Sequence, residues 1–205
     1  MLETILVTGF GPFGPHSRNI SEEAARRLDG QEREGFLIRA LALPVQFERA
    51  VALLRETLET EQPAAVIASG IHDEEGVDFR LELAARNERS WVTGPETDSP
   101  LAGPRAELPP VEEQGPPMVF STLPVATIKR ALEASGLRSE LCDDAGRYLC
   151  NAVFYWVARR VSPAGFLHVP SSPTRLEDAV TALDLCVQET ARRLIAQRVE
   201  EATTA

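Results

Sequence analysis

The sequence predicts an α/β fold: an open, mostly parallel, twisted sheet with helices on both faces. Two observations carry this prediction. Short apolar, β-branched segments alternate with amphipathic helical stretches, which is the pattern of parallel strands joined by helical crossovers. The chain has 205 residues, of which 43% are hydrophobic and 25% charged, which suits one domain with a sizeable core. We therefore expect a single three-layer α/β/α domain over residues 1–205, without internal repeats.

The first part of the chain predicts three strands separated by two helices. The strands are expected at 3–8, 36–43 and 64–69, where β-branched and other apolar residues cluster. Ser21 is the expected N-cap of the first helix, since its hydroxyl can accept a hydrogen bond from a free backbone N–H. The second helix is expected at 47–61, where apolar residues recur on one helical face.

The middle of the chain combines an alternating strand with a long polar connection. Residues 77–87 alternate, with Phe79 and Leu81 on one side and Glu82 on the other. A strand carboxylate opposite an apolar face is usually exposed to solvent. Residues 88–117 are rich in proline, glycine and charge and are too long for a simple connection, so we interpret them as a functional or mobile loop.

The last part continues the alternation and ends in a long helix. Its C-terminal segment carries one apolar stripe at helical spacing, from Leu176 to Leu194. The elements expected before this helix are strands at 118–120, 139–142 and 166–169 and helices at 125–134 and 146–161.

Charge and cysteine content narrow the classes of function. The formal net charge of −10 disfavours nucleic acid or an anionic membrane as the main partner, since neither attracts an acidic surface. The N-terminus lacks a signal-peptide pattern and no apolar stretch approaches bilayer length, so we expect a cytoplasmic protein. Cys142, Cys150 and Cys186 form no metal-ligand pattern, and an odd count disfavours a disulfide framework. We expect free thiols, no metal, no cofactor and a small or peptidic ligand.

The strongest chemical signal is a cysteine near the start of a predicted helix and a histidine at the end of a predicted strand. Cys150 follows Gly146 closely and precedes Asn151, and His168 lies in a His-Val-Pro strand end. Such positions converge beyond the strand ends of an open α/β sheet, where a helix N-terminus and a protonated imidazole both favour a thiolate. A free cysteine is more often a small buried hydrophobe, but this context favours a nucleophile and its base. The pair predicts a cysteine hydrolase.

Two other histidines compete with His168 for a functional role. His16 lies in a loop, and His72 opens the acidic run 72–75. Such a run more often forms a solvated surface than a metal site, because consecutive carboxylates rarely converge on one ion. His168 is therefore the preferred base.

Several segments together resemble the hallmark segments of one family. They cover residues 8–14, 43–45, 121–124, 146–151 and 166–170. This set is similar to that of pyroglutamyl peptidase I, also called pyrrolidone carboxyl peptidase, and the resemblance spans nearly the whole chain. It implies an omega peptidase that hydrolyses the bond after an N-terminal pyroglutamyl residue of peptides, through a thioester intermediate. It also implies a homodimer or homotetramer, since the family tends to form both.

The resemblance implies roles for further residues. The family's acid lies in a segment that ends Glu-x-x-Ala-x-Asn, which here begins at Glu82, so Glu82 would orient His168 in a Cys-His-Glu triad. Phe10 and Phe13 occupy the positions that flank the pyroglutamyl ring, an uncharged lactam that suits an apolar pocket. The family positions in or beside this pocket correspond to Asn19, Val45, Tyr148 and Leu149.

The chain departs from the family pattern around the expected oxyanion. Family members carry an arginine ten residues beyond the acid, where this chain has Val92. Arg86 and Arg89 are the candidates for replacing that cation from a shifted loop. The usual Asn-Ser before Ala-Gly is Asp143-Asp144 here, which adds negative charge near the thiolate. Residues 70–72 likewise replace a Gly-Gln pairing near the substrate pocket.

Two other functions stay open at this point. The loop that begins at Gly9 and ends at Gly14 satisfies the G-x-G-x-x-G dinucleotide pattern, so a nucleotide-dependent enzyme is one alternative. That fingerprint also requires a helix opening on its last glycine and an acid after the second strand, where this chain has residues 15–19 and Leu43-Pro44. The other alternative is a catalytically weakened relative that binds pyroglutamyl or other capped peptides.

Overall fold

Strands and helices alternate along the chain, as the sequence predicts. The computed structural model describes residues 2–14, 16–73, 78–90 and 108–204. The strands are β1 (Thr4–Phe10), β2 (Glu32–Arg33), β3 (Phe36–Leu43), β4 (Ala65–His72), β5 (Phe79–Glu82), β6 (Ala84–Arg86), β7 (Met118–Phe120), β8 (Ser139–Cys142) and β9 (Ala164–Pro170). The helices are α1 (Ile20–Leu28), α2 (Phe47–Glu61), α3 (Val125–Ala134), α4 (Leu149–Ala158) and α5 (Leu176–Thr204), with a 3₁₀ turn at Pro173–Arg175.

Seven of the described strands form one sheet, in the order β2-β3-β1-β4-β9-β5-β8. Strands β3, β1, β4 and β9 are parallel neighbours, which confirms the predicted open, mostly parallel α/β sheet. Strand β5 is antiparallel to β9, and β8 runs parallel to β5, so this edge of the sheet is reversed. Strands β6 and β7 form a separate two-stranded antiparallel ladder. The reversed edge matters because it places β5 side chains beside those of β9.

Helices cover both faces of the sheet and give the three predicted layers. One core cluster packs α1, α3 and α5 against the sheet and includes Ile5, Val7 and Leu167 of the central strands. The other packs α2 and α4 on the opposite face, against Leu6 and Phe166. Because alternate residues of a strand point to opposite faces, β1 and β9 contribute to both clusters. None of the helices in the described part of the chain has the length and apolarity that a membrane crossing requires.

The N-cap of α1 is Asn19, which corrects the expectation that Ser21 caps this helix. Asn19 Oδ1 accepts hydrogen bonds from the backbone N–H and the hydroxyl of Ser21, at 3.1 and 2.7 Å. Asn19 Nδ2 donates to the Gly11 carbonyl at 3.2 Å. Ser21 lies inside the helix, and its hydroxyl accepts a hydrogen bond from the Phe10 N–H at 3.0 Å. Both residue types favour N-caps, so composition alone does not distinguish them.

Helix α4 is apolar on nearly all sides because the protein encloses it. Leu149 and residues 151–157 are buried, as expected of a helix inside a core. The helix begins at Leu149 rather than near 146, since Gly146 has φ of +78°, outside the helical region. Cys150 therefore lies in the first turn of a helix that is fixed by packing.

The predicted strand at 77–87 is in fact two strands that belong to different sheets. Strand β5 ends at Glu82 and β6 begins two residues later, so the chain leaves the main sheet at Leu83. The Leu83 N–H donates to the Cys142 carbonyl, and the Leu83 carbonyl accepts from the Ser121 N–H. Leu83 thus bridges the two sheets, which side-chain alternation does not reveal.

The predicted loop at 88–117 is described at both ends, whereas residues 91–107, including Val92, lie outside the described residues. The first end is held by a hydrogen bond from the Ser90 N–H to the Arg147 carbonyl at 2.7 Å. The second end is held by the Tyr155 hydroxyl, which donates to the Pro116 carbonyl at 2.8 Å. Both ends are therefore attached to α4 or to the turn before it.

Candidate active site

His168 and Glu82 lie side by side on the sheet face that α2 and α4 cover. In the antiparallel pairing of β5 and β9, His168 is opposite Arg80 and Glu82 is opposite Phe166, so the two are diagonal neighbours. His168 Nδ1–H donates to Glu82 Oε1 at 2.7 Å. Glu82 is fully buried and His168 is 8% exposed. Glu82 is thus not exposed to solvent, as a strand carboxylate opposite an apolar face usually is, because both faces of this strand are covered.

Cys150 is the second residue of α4, and its thiol faces the centre of the sheet. A methyl group added at Gly70 of β4 would lie 2.8 Å from the Cys150 sulfur and 3.1 Å from the Phe166 ring. Gly70 is opposite His168 in the parallel pairing of β4 and β9. The sulfur therefore lies over this strand pair, where His168 is located.

The charges of these three side chains act on one another. Burial works against a charged imidazole, but the Cys150 thiolate and the Glu82 carboxylate outweigh it and raise the pKa of His168 to about 9. Glu82 acts through the Nδ1–H hydrogen bond as well as through its charge. At neutral pH the imidazole therefore holds a proton beside the sulfur.

The first turn of α4 presents backbone N–H groups beside this sulfur. The Ala152 N–H donates to the Tyr148 carbonyl at 3.1 Å, which is the first bond within the helix. Among the described residues no side chain caps this helix end, and its first turn contains no acid. The N–H groups of residues 149–151 thus have no partner within the helix, and the positive end of its dipole favours an anion here.

Comparison with known proteins identifies the family of this chain. A family model described as pyroglutamyl peptidase matches residues 3–203. The chain belongs to the pyroglutamyl peptidase family. A pyrrolidone-carboxylate peptidase of Chromobacterium violaceum is 34% identical over 200 residues, which cover 91% of this chain and 92% of that protein. Another, from Halalkalibacterium halodurans, is 35% identical over 176 residues, which cover 82% and 84%.

Solved structures of pyroglutamyl peptidases share the fold over nearly the whole chain. The pyrrolidone carboxyl peptidase of Thermococcus litoralis superposes with a TM-score of 0.86 at 28% identity, covering 96% of each chain. The pyroglutamyl peptidase I of Bacillus amyloliquefaciens gives a TM-score of 0.82 at 26% identity, covering 93% of this chain and 97% of its own. The predicted family is confirmed, and the chain is a cysteine peptidase of the pyroglutamyl peptidase I type.

The glycine loop of this pyroglutamyl peptidase is not built like a dinucleotide site. Helix α1 begins at Ile20, six residues beyond Gly14, so none of the described residues opens a helix on the last glycine. The Gly11 N–H instead donates to the Leu43 carbonyl at 3.0 Å, which ties the loop to β3. The loop therefore lacks the helix N-terminus at its last glycine that would bind a pyrophosphate.

Three of the residues expected at the pyroglutamyl pocket are near Cys150 in the fold or in the chain. Phe10 is nearly fully buried, and its ring lies beside the Cys150 sulfur, since both would contact a methyl group added at Gly70. The Tyr148 ring packs edge-on against Phe47 with centroids 5.4 Å apart. Burial and the charge of Cys150 raise the pKa of the Tyr148 hydroxyl. Leu149, which directly precedes Cys150, is buried in the core cluster of α2 and α4.

The other three expected pocket residues make their contacts with the loop and the core. The Phe13 ring packs against the His16 ring, with centroids 5.1 Å apart. Val45 packs against the core cluster of α2 and α4. The Asn19 amide is used within the loop and the α1 cap. Contact of Phe13, Val45 and Asn19 with a ligand stays a prediction.

The two arginines that could replace the family's cation are placed differently. Arg89 Nε donates to the Pro109 carbonyl at 2.8 Å, and its guanidinium lies 5.4 Å from the Phe47 ring centroid, so it is directed towards α2. Arg86 Nε is buried and has no hydrogen-bond partner among the described residues. The Arg86 charge also acts on Asp144, in the segment that leads into α4. Arg86 is therefore the better placed of the two.

One of the two aspartates that depart from the family pattern, Asp144, is paired with an arginine. Arg147 contacts Asp144 Oδ1 through Nη1 and Glu88 Oε2 through Nε, both at 2.5 Å. Burial alone would raise the pKa of Asp144, but hydrogen bonds from Arg147 and the Gly146 N–H outweigh it and lower that pKa. The Asp144 charge is thus paired with a cation that Glu88 shares.

Gly70 is a residue of the site that the sequence motifs do not single out, although its lack of a side chain makes room for the thiol. A glycine near the C-terminal end of a buried strand often marks a place where another group approaches the backbone closely, and this pattern could have indicated Gly70.

We predict that Gly70→Ala slows alkylation of Cys150 by iodoacetamide about tenfold at neutral pH, since displacements of about 1 Å have such effects on reactive groups. The added methyl, 2.8 Å from the sulfur, would push it away from His168. Peptide mapping by mass spectrometry measures the rate. Gly11→Ala is the control, because its methyl would approach only Glu22 Oε2 at 3.5 Å and the Leu43 carbonyl at 3.8 Å. Equal alkylation rates in both variants would contradict the prediction.

Proposed function

We propose that this chain removes N-terminal pyroglutamate from peptides, with Cys150 as nucleophile, His168 as acid and base, and Glu82 as the residue that orients His168. The observation that carries the proposal is the buried His168–Glu82 hydrogen bond of 2.7 Å beside a thiol in the first turn of α4. Relatives named pyrrolidone-carboxylate peptidases, which match most of the chain, support the same substrate class.

The first chemical step forms a thioester. The Cys150 thiolate attacks the carbonyl carbon of the pyroglutamyl residue, and a carbon–sulfur bond forms as the carbon–nitrogen bond to the next residue breaks. The His168 imidazolium gives its proton to the leaving amine, which departs as the shortened peptide. Because Glu82 accepts the hydrogen bond from Nδ1, the other ring nitrogen of His168 is the one that faces the reaction.

The second step returns the enzyme to its starting state. Neutral His168 takes a proton from water, and the oxygen of that water adds to the thioester carbon. The carbon–sulfur bond then breaks, which releases pyroglutamic acid and restores the thiolate beside the imidazolium. The charges at the end of the cycle equal those at the start.

An oxyanion forms on the substrate carbonyl in both steps. Backbone N–H groups in the first turn of α4 are positioned beside the sulfur and would donate to this oxygen. Arg86 adds a cation whose buried Nε has no partner among the described residues. We assign to it the electrostatic role that the family's arginine would fill at Val92.

The proposed ring pocket matches the chemistry of pyroglutamate. Phe10 lies beside the thiol, Tyr148 and Leu149 precede it in the chain, and with Phe13 and Val45 they would form a largely aromatic and apolar pocket. Cyclisation of the substrate's amine removes its charge, so the lactam enters such a pocket without leaving a cation desolvated. A free N-terminal residue would bring an ammonium group that loses its hydration on this apolar surface.

Cys150→Ser should abolish cleavage of a chromogenic pyroglutamyl amide, with a loss of at least about 10³-fold in kcat, as expected for removing a catalytic nucleophile. Cys186→Ala is the control, because Cys186 is fully buried in α5 on the other face of the sheet. Steady-state kinetics of the two variants measure the effect. Retained cleavage by Cys150→Ser would remove the thiol mechanism. Tight binding without turnover in the unmodified chain would favour the alternative of a peptide-binding relative.

The pKa of His168 predicts the alkaline limit of activity. His168 remains protonated, and able to protonate the leaving amine, at pH values below about 9. It loses this proton as the pH rises through that value. Glu82→Gln removes the carboxylate charge that raises this pKa, so the alkaline limit should move to lower pH. Profiles of kcat/KM against pH for both forms measure the shift. An alkaline limit that stays in place would contradict the proposed role of Glu82.

Arg86→Met should lower kcat by about 10²-fold with a small change in KM, which is the typical cost of losing one oxyanion-stabilising group. Arg89→Met is the matched control, since Arg89 is engaged by Pro109 and Phe47. Kinetics with the same chromogenic amide compare them. A larger loss of kcat in Arg89→Met would transfer the proposed role to Arg89.

A further inference from the structure

The side-chain amide of Asn151, the residue after Cys150, joins two parts of the site. Asn151 is fully buried. Its Oδ1 accepts a hydrogen bond from the Arg86 N–H at 2.8 Å, and its Nδ2 donates to the carbonyls of Arg86 and Glu88, both at 2.9 Å. All three bonds go to main-chain groups. The amide thus makes the main-chain hydrogen bonds that a neighbouring strand would otherwise make with the end of β6.

The segment that Asn151 binds continues directly from the strand that carries Glu82. Arg86 is the last residue of β6 and lies four positions beyond Glu82. On its other side the segment pairs with β7, where the Asn87 N–H donates to the Pro117 carbonyl at 2.9 Å. The N–H and carbonyl of Arg86 point away from that ladder, and buried backbone groups of this kind require partners. Asn151 supplies them.

We propose that Asn151 is a positioning residue that fixes Cys150 relative to the Glu82–His168 pair. The inference rests on the function proposed above. The amide connects α4, which carries the nucleophile, to the β5–β6 segment, which carries the acid. The Asn151 side chain is fully buried, whereas the neighbouring Arg147–Glu88 ion pair has side chains 30% and 59% exposed. Hydrogen bonds of a buried amide hold such a spacing better than an exposed ion pair does.

The chemistry of this position requires an amide. Ionised aspartate at 151 has nearly the same shape, but it has only acceptors and would face the carbonyls of Arg86 and Glu88 with negative charge. Those two carbonyls would lose their donor, and the first turn of α4 would move away from β6. The sulfur would then shift relative to His168, although each catalytic side chain remains present.

Tyr155→Phe is the matched control for Asn151→Asp. Tyr155 is fully buried in the same helix, one turn further on, and its hydroxyl donates to the Pro116 carbonyl at the second end of the same loop. Both variants remove hydrogen bonds that buried side chains of α4 make with main-chain groups outside the helix. If Asn151 acted only on stability, Asn151→Asp and Tyr155→Phe would have similar effects on turnover.

The experiment measures kcat and KM for a chromogenic pyroglutamyl amide, the pH dependence of Cys150 alkylation by iodoacetamide, and unfolding in urea. We expect Asn151→Asp to lower kcat about tenfold or more with little change in KM, since a displacement of about 1 Å can cost up to ~10²-fold. Alkylation of Cys150 should be slower in this variant at each pH tested, because the sulfur has moved away from the imidazolium. Tyr155→Phe should keep the kcat and the alkylation profile of the unmodified chain.

Two results would overturn the inference. One is a folded Asn151→Asp variant with unchanged kcat and alkylation, and the other is an equal loss of kcat in Tyr155→Phe. If Asn151→Asp does not fold, Asn151→Ser replaces it with the same expected outcomes, since its small hydroxyl leaves room for a bridging water. Active Cys150→Ser contradicts the proposed function, whereas inactive Cys150→Ser with fully active Asn151→Asp contradicts only the positioning role.

Discussion

The buried hydrogen bond between His168 and Glu82 is the interaction on which the rest of the site depends. A carboxylate removed from water needs compensation, and here an imidazolium nitrogen provides it at 2.7 Å. Glu82 Oε2 has no hydrogen-bond partner among the described residues, so the carboxylate relies on this one neighbour. Such an arrangement costs stability, which the two core clusters on either face of the sheet offset. It persists because β5 and β9 hold both side chains on one face.

The strand that carries Glu82 connects this pair to Cys150, the proposed nucleophile. Strand β5 ends at Glu82, opposite Phe166, and the chain leaves the main sheet at Leu83 and continues as β6. The last residue of β6 reaches the start of α4, where the Asn151 amide binds its main chain. From Glu82 to Cys150, each link is therefore either a short stretch of chain or a hydrogen bond of a buried amide.

The sequence predicts the fold better than it predicts the environment of single side chains. The bounds of β3, α2, β7, α3 and β8 agree with those expected, because apolar periodicity and proline or glycine mark them. Alternation places Glu82 opposite the apolar side of β5 but does not reveal the strand's direction or what covers that face. The N-cap of α1 is Asn19 rather than the expected Ser21 for a similar reason. Both residue types favour N-caps, and only the tertiary contacts decide which of them caps the helix. Cys150 and His168 could be singled out because functional residues of this fold class lie where helices begin and strands end. The sequence predicts Cys150 near the start of a helix and His168 at the end of a strand.

A chain with a net charge of −10 still keeps its thiol in positive surroundings. The reason is distance: partners a few ångströms from the sulfur outweigh charges on the surface, which salt screens over about 8–10 Å. The first turn of α4 and the His168 imidazolium are near, whereas Asp144 and Glu88 share the cation of Arg147. The His168 imidazolium is already engaged by the Glu82 carboxylate, and the side chains proposed to line the ring pocket are mostly apolar. An uncharged lactam is the N-terminal group that such a pocket accepts at least cost in desolvation.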